Sequence, residues 1–168
     1  MNQFLAKRKK DLNKVLVLFL ALMFMGGITF VATPIQAGAN VNVYRFYNGT
    51  EHFYTISQDE VDALNVAGSG DVQEVGWDRT ESQTPIYRFY NGIDHFYTAS
   101  QDEIDALNVA GSGYVLEGLA WEDSLRVSPV YRLYNGVDHL YTISLDEVES
   151  AISLGYTSEG VGWGSEPT

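Results

Sequence analysis

Val43-Tyr44-Arg45-Phe46-Tyr47-Asn48-Gly49, followed one residue later by Glu51-His52-Phe53-Tyr54-Thr55, is the stretch on which the fold turns. β-Branched and aromatic residues flank an Asn-Gly pair, the pattern of two strands joined by a tight turn. The run returns as Ile86-Tyr87-Arg88-Phe89-Tyr90-Asn91-Gly92 with Asp94-His95-Phe96-Tyr97-Thr98. It returns again as Val130-Tyr131-Arg132-Leu133-Tyr134-Asn135-Gly136 with Asp138-His139-Leu140-Tyr141-Thr142. The starts lie 43 and 44 residues apart, and each copy ends on a tryptophan: Trp77, Trp121 and Trp163. All three histidines of the chain occupy one repeat position, and all three tryptophans another.

Between hairpin and tryptophan each copy carries a helix signal. Ser57-Gln58-Asp59-Glu60, Ser100-Gln101-Asp102-Glu103 and Ser144-Leu145-Asp146-Glu147 read as capping boxes, with extra acid suited to a helix N-terminus. Val61 with Leu64, Ile104 with Leu107, and Val148 with Ile152 begin an apolar helix face. Gly68, Gly111 and Gly155 are the expected stops. A last strand is expected over Glu74–Trp77, Glu117–Trp121 and Glu159–Trp163, and the first copy has one residue fewer between its Glu and Trp.

A unit of this size is marginal alone, so the copies should share a core. The expected fold class is therefore β-rich α+β. It comprises three ββαβ repeats (43–85, 86–129 and 130–168) closed around a pseudo-threefold axis, in a β-trefoil-like or three-bladed arrangement.

The N-terminus sets the expected compartment. Lys7, Arg8, Lys9, Lys10 and Lys14 precede an apolar run from Val15 to Val31, then Pro34 and Ile35-Gln36-Ala37. That is the plan of a secretory signal peptide over residues 1–37, with cleavage after Ala37 and a single domain over 38–168. The rival is a retained anchor, since the apolar run is near the short limit for spanning a bilayer. Either way the remainder is exported, so the expected localisation is secreted, with association with the cell surface as an option.

Without its first 37 residues the chain has a net charge of −16 over 131 residues, with five arginines and no lysine. Such a surface repels nucleic acid and anionic lipid, whose binding relies on Lys and Arg. No nucleic acid and no membrane are expected as partners after cleavage. The absence of cysteine excludes disulfides, thiolate nucleophiles and zinc–thiolate sites.

The order Tyr-Arg-Phe-Tyr-Asn, Asp-His-Phe-Tyr-Thr, Ser-x-x-Glu, Gly-Tyr, Glu-Gly-x-x-Trp resembles a repeat family of unknown function. The family occurs in secreted bacterial and fungal proteins, often appended to cell-wall hydrolases. The resemblance covers nearly all of residues 43–164. The first copy departs most, with Gly70-Asp71 for Gly-Tyr and Glu74-Val75 for Glu-Gly. The resemblance implies an extracellular accessory module and supplies neither catalytic residues nor a ligand.

The candidate ligand contacts are Tyr47, Asn48, His52 and Tyr54 in the first copy. Their counterparts are Tyr90, Asn91, His95 and Tyr97, then Tyr134, Asn135, His139 and Tyr141. Tyrosine suits a half-wet site, and rings beside Asn, Asp and His would meet the C–H faces and hydroxyls of a sugar. Structural packing of the same tyrosines is the competing reading. Three convergent histidines would make a zinc or nickel site, but a histidine fixed in an aromatic strand is more often structural. No metal and no cofactor is expected.

Arg45, Arg88 and Arg132 sit inside aromatic strands where a free charge is costly, so each is expected to pair with the carboxylate of Glu74, Glu117 or Glu159. Candidate acids recur in matched threes, whereas acid-pair hydrolysis needs two carboxylates in unlike environments. No phosphate loop or cofactor fingerprint appears. The expectation is a non-catalytic binding module for a cell-wall or other extracellular glycan. The alternatives are a protein-binding surface factor (adhesin or inhibitor) or a metal-dependent enzyme.

Overall fold

The structure is a computed structural model that describes residues 41–66, 68–79, 84–123 and 129–164. The expected signal segment, residues 1–37, lies outside the described residues. The first copy forms β1 (Val41–Tyr47), β2 (His52–Thr55), α1 (Gln58–Leu64) and β3 (Val72–Arg79). The second forms β4 (Thr84–Tyr90), β5 (His95–Thr98), α2 (Gln101–Leu107) and β6 (Val115–Asp123). The third forms β7 (Val130–Tyr134), β8 (His139–Thr142), α3 (Leu145–Ser153) and β9 (Thr157–Trp163).

The β-trefoil-like or three-bladed closure expected from the sequence is corrected here. The strands make three separate antiparallel sheets, ordered β2-β1-β3, β5-β4-β6 and β8-β7-β9. Both edges of each first strand are taken by strands of its own copy. Its ladder is thus satisfied locally, and among the described residues no strand pairs with a strand of another copy. Among the described residues the strands close no barrel. The copies meet instead through side chains.

Local details also differ from expectation. The hairpin loops span four residues, not a two-residue Asn-Gly turn. Asn48 Oδ1 accepts the N–H groups of Thr50 and Glu51 at 3.0 Å, and Asn91 and Asn135 do the same at 2.9 Å. Helices α1 and α2 stop at Leu64 and Leu107, short of Gly68 and Gly111. The Ser69 and Ser112 hydroxyls donate to the carbonyls of those leucines at 2.8 and 2.6 Å, satisfying a terminal group that would otherwise lack a partner. Only α3 ends at its glycine, where the Tyr156 N–H reaches back to the Ala151 carbonyl at 3.0 Å.

The missing residue in the first copy has a visible effect. β4–β6 and β7–β9 each carry two register shifts, with Gly118 and Gly160 at positive φ, whereas β1–β3 carries one. Gly76 passes so close to β1 that a Cβ there would lie 1.8 Å from the Val43 carbonyl oxygen.

Nine buried residues form the main core, three from each copy: Val43, Tyr54 and Trp77; Ile86, Tyr97 and Trp121; Val130, Tyr141 and Trp163. The tryptophan rings lie 6.1–6.4 Å apart. The tyrosine rings lie 5.5–5.6 Å apart, edge to face. Such pairs add about 0.5–1.5 kcal/mol each beyond area burial. Smaller clusters lie within copies, Phe89, Phe96 and Ile104 in the second and Leu133, Leu140 and Ala151 in the third.

Candidate functional site

Most candidate side chains lie where one copy meets the next. Strand alternation puts Arg45, Tyr47, His52 and Tyr54 on one face of the first sheet, since Tyr47 pairs with His52 and Arg45 with Tyr54. His52 Nδ1 lies 2.7 Å from Asp138 of the third copy, His95 Nδ1 2.8 Å from Glu51 of the first, and His139 Nδ1 2.5 Å from Asp94 of the second. On the other side, the Nε2 atoms of His52, His95 and His139 stand 3.7, 3.5 and 3.7 Å from Glu74, Glu117 and Glu159 of their own copies. Asp94 and Asp138 are fully buried. They also accept the backbone N–H groups of His139 and His52, at 3.0 and 2.7 Å.

These surroundings shift protonation. Burial alone would lower the pKa of His95, but its hydrogen bonds to Glu117 and Glu51 and their charges outweigh this and raise it above the ordinary value. Burial works to raise the Asp138 carboxyl, yet the hydrogen bond and charge of His52 hold it below the usual carboxylate range. The histidines do not converge: each serves a different junction. Among the described residues, no group of three or more His, Asp or Glu is placed to hold a metal ion.

The arginines bridge copies as well as strands. Arg45, Arg88 and Arg132 place Nε at 2.9, 2.7 and 2.7 Å from Glu74, Glu117 and Glu159. Each guanidinium then forks onto a carboxylate of another copy: Arg45 on Glu147, Arg88 on Glu60 and Arg132 on Glu103, at 2.8–3.2 Å. Arg88 and Arg132 also lie over the Phe53 and Phe96 rings, 4.8 and 4.7 Å from their centroids.

The cross-copy glutamates are structural partners of the arginines, although their sequence pattern marks them only as capping residues. In the structure half of each box forms: the Ser57, Ser100 and Ser144 hydroxyls accept the N–H groups of Glu60, Glu103 and Glu147. The glutamate side chains do not return to the serine N–H groups, which bond to Thr55, Thr98 and Thr142 Oγ1 instead. An acid at one repeat position in all three copies, opposite a recurring arginine, was the available signal.

Tyr54, Tyr97 and Tyr141 are corrected as ligand contacts: they are fully buried in the core, beyond the reach of an external ligand. Their hydroxyls bond to the backbone of the neighbouring copy at 2.8–3.0 Å. His52, His95 and His139 are likewise buried and held by carboxylates. Asn48, Asn91 and Asn135 are exposed, but each side-chain oxygen is engaged in its own loop.

Tyr47, Tyr90 and Tyr134 are half-buried and stack on His52, His95 and His139, with centroids 4.5, 4.4 and 4.3 Å apart. Their cross-strand partners Val72, Val115 and Thr157 are exposed. The nearby loop residues Thr50, Ile93 and Val137 are exposed too. Chemically, the imidazoles and guanidiniums are engaged within the scaffold, while the outer ends of the hairpins present a tyrosine beside aliphatic and hydroxyl groups.

No curated protein and no solved structure matches the chain. A family model described as "Domain of unknown function (DUF5648)" matches residues 24–77 and, separately, 42–166. The second match takes in all three ββαβ copies, and the chain belongs to that family of domains of unknown function.

Proposed function

We propose that this protein is an exported, non-catalytic module that holds a cell-wall or other extracellular glycan on the tyrosines at its hairpin ends. The observation that carries this reading is the repeated platform of Tyr47, Tyr90 and Tyr134. Each ring is braced on one face by a histidine at 4.3–4.5 Å and flanked by exposed residues. A braced ring loses little conformational freedom when a sugar stacks on it. Three such platforms would act together on a polymer through effective concentration. The N-terminal basic and apolar segment supports export, and the family resemblance supports work beside cell-wall hydrolases.

A second reading has its own support. Val66, Val72, Ile93, Val109, Val115 and Leu154 are 57–80 % exposed, which suits contact with a protein partner in an adhesin or inhibitor. Retention of the purified protein on insoluble peptidoglycan and a polysaccharide panel separates the two. Binding to one polymer that is lost in the Tyr47→Ala/Tyr90→Ala/Tyr134→Ala variant supports the glycan reading. Absence of retention on every polymer rejects it in favour of a protein partner.

A further inference from the structure

We infer that the junction between the third and first copies contains one groove that takes a short neutral oligosaccharide, separate from the tyrosine platforms; the ligand class rests on the glycan reading above. The groove has a volume of about 560 Å³, within the size range of small-ligand sites. β3 and its tryptophan form one wall, and the segment from Thr142 to Ser150 forms the other.

Departures from the repeat explain an opening at this junction. Ile143 is 38 % exposed, whereas its counterparts Ile56 and Ala99 pack against the core. Leu140 stands where the other copies have Phe53 and Phe96, the rings that lie beneath Arg88 and Arg132. Ser150 replaces Ala63 and Ala106 on the helix wall.

The lining chooses the ligand. Arg45 is held between Glu74 and Glu147, so its charge is already matched and gives an anion little to bind. The exposed carboxylate of Asp146 and the chain's net charge of −12 further disfavour an anion. The carboxylate of Asp146, the hydroxyls of Ser144 and Ser150 and the apolar surface of Ile143 together match a ligand with hydroxyls around a C–H face.

The test uses the purified full chain and titration calorimetry with chitotetraose, cellotetraose and maltotetraose. Ser150→Phe fills the groove and Asp146→Ala removes an acceptor, both at exposed positions. The matched changes at another junction are Ala106→Phe and Asp102→Ala. Affinity at least about tenfold weaker in both third-copy variants, and within about twofold in the matched pair, supports the groove. Binding that survives both third-copy variants but fails in Tyr47→Ala/Tyr90→Ala/Tyr134→Ala overturns the groove and leaves the platforms. No binding of any of these sugars by the parent protein, despite retention on a polymer, overturns the groove alone. No binding of either kind overturns both readings.

Discussion

The phenol oxygen of Tyr97 lies 2.9 Å from the backbone nitrogen of Tyr54 and 2.8 Å from its carbonyl oxygen, accepting from the first and donating to the second. Tyr141 treats Tyr97 in the same way, and Tyr54 treats Tyr141 likewise. An exposed strand edge invites pairing with another chain, and natural proteins cover it by various devices. Here the outer edges of β2, β5 and β8 are covered by a hydroxyl from a neighbouring copy, which does the work of a paired strand with one atom. Two of these edges are also closed at the histidine N–H by Asp138 and Asp94.

Tyr97→Phe should therefore destabilise the fold far more than a surface change. It leaves both backbone groups of Tyr54 buried without their partner, and an unsatisfied buried group costs about 1–3 kcal/mol. A loss of roughly 2–4 kcal/mol is expected in urea unfolding. The comparison is Tyr90→Phe, at a half-buried ring whose bracing by His95 survives, with an expected change below about 1 kcal/mol. Equal losses in the two variants would show that the shared hydroxyl does not matter.

Gly76 and Gly162 precede their tryptophans at matched positions but should respond differently to alanine. A Cβ at Gly76 meets the Val43 carbonyl oxygen at 1.8 Å, whereas at Gly162 the nearest atom, the Val130 carbonyl oxygen, is 3.5 Å away. Backbone cannot move aside as a side chain can, so Gly76→Ala should cost at least about 3 kcal/mol or prevent folding. Gly162→Ala should stay within about 1 kcal/mol. Thermal unfolding of the pair decides the matter, and a tolerated Gly76→Ala would mean that β1 and β3 are not in this register.

Repetition makes the elements legible. Each aromatic run around Asn-Gly becomes a hairpin, each Ser-x-x-Glu starts a helix, and each tryptophan lies in the third strand. Facing is harder to read. Tyr47 and Tyr54 both sit on the side of the sheet that carries His52, yet one is half-buried at the hairpin end and the other lies deep in the core. Both faces of these strands are rich in aromatic residues, so hydrophobic alternation does not mark which face meets a neighbouring copy. The closed trefoil expected from copy number fails for a related reason. Nothing in the spacing shows that each third strand returns to its own first strand. Nothing in the spacing of the acids at 51, 94 and 138 shows their burial, and only the placement of another copy makes two of them fully buried.

Asp138 joins copies with no short linker between them. It accepts from the His52 N–H, pairs with the His52 ring and accepts from the Tyr156 hydroxyl at 2.6 Å. Asp138→Ala should cost about 2–4 kcal/mol, because it leaves the buried His52 N–H and ring without their shared acceptor. Glu51→Ala should cost less, because Glu51 is less buried than Asp138 and its side chain makes one described hydrogen bond to His95. Urea unfolding should rank Asp138→Ala as the less stable of the two, and the opposite order would contradict the geometry of these junctions.

Stability should peak in mildly acidic solution. Burial opposes the ionised forms of Glu103, Glu117, Glu147 and Asp138, but bonds to Arg132, His95, Arg45 and His52 hold their pKa values below ordinary. Their contribution is present above about pH 4, the unfolded carboxylate range, and is lost as pH falls through the lowered folded values. His95 behaves in the opposite sense. Its folded pKa is raised by Glu117 and Glu51 against the effect of burial, so its contribution is full below about pH 6.5 and disappears as pH rises through the folded value. Arg88, which shares Glu117, stays charged throughout, and Tyr90 and Phe53 supply the rings around the imidazole. The melting temperature should therefore be highest between roughly pH 5 and 6.5 and fall on both sides. His95→Gln should flatten the fall above pH 6.5 more than it alters the acid limb. A melting temperature that climbs steadily from pH 6 to 8 would show that His95 is not held protonated between its two glutamates.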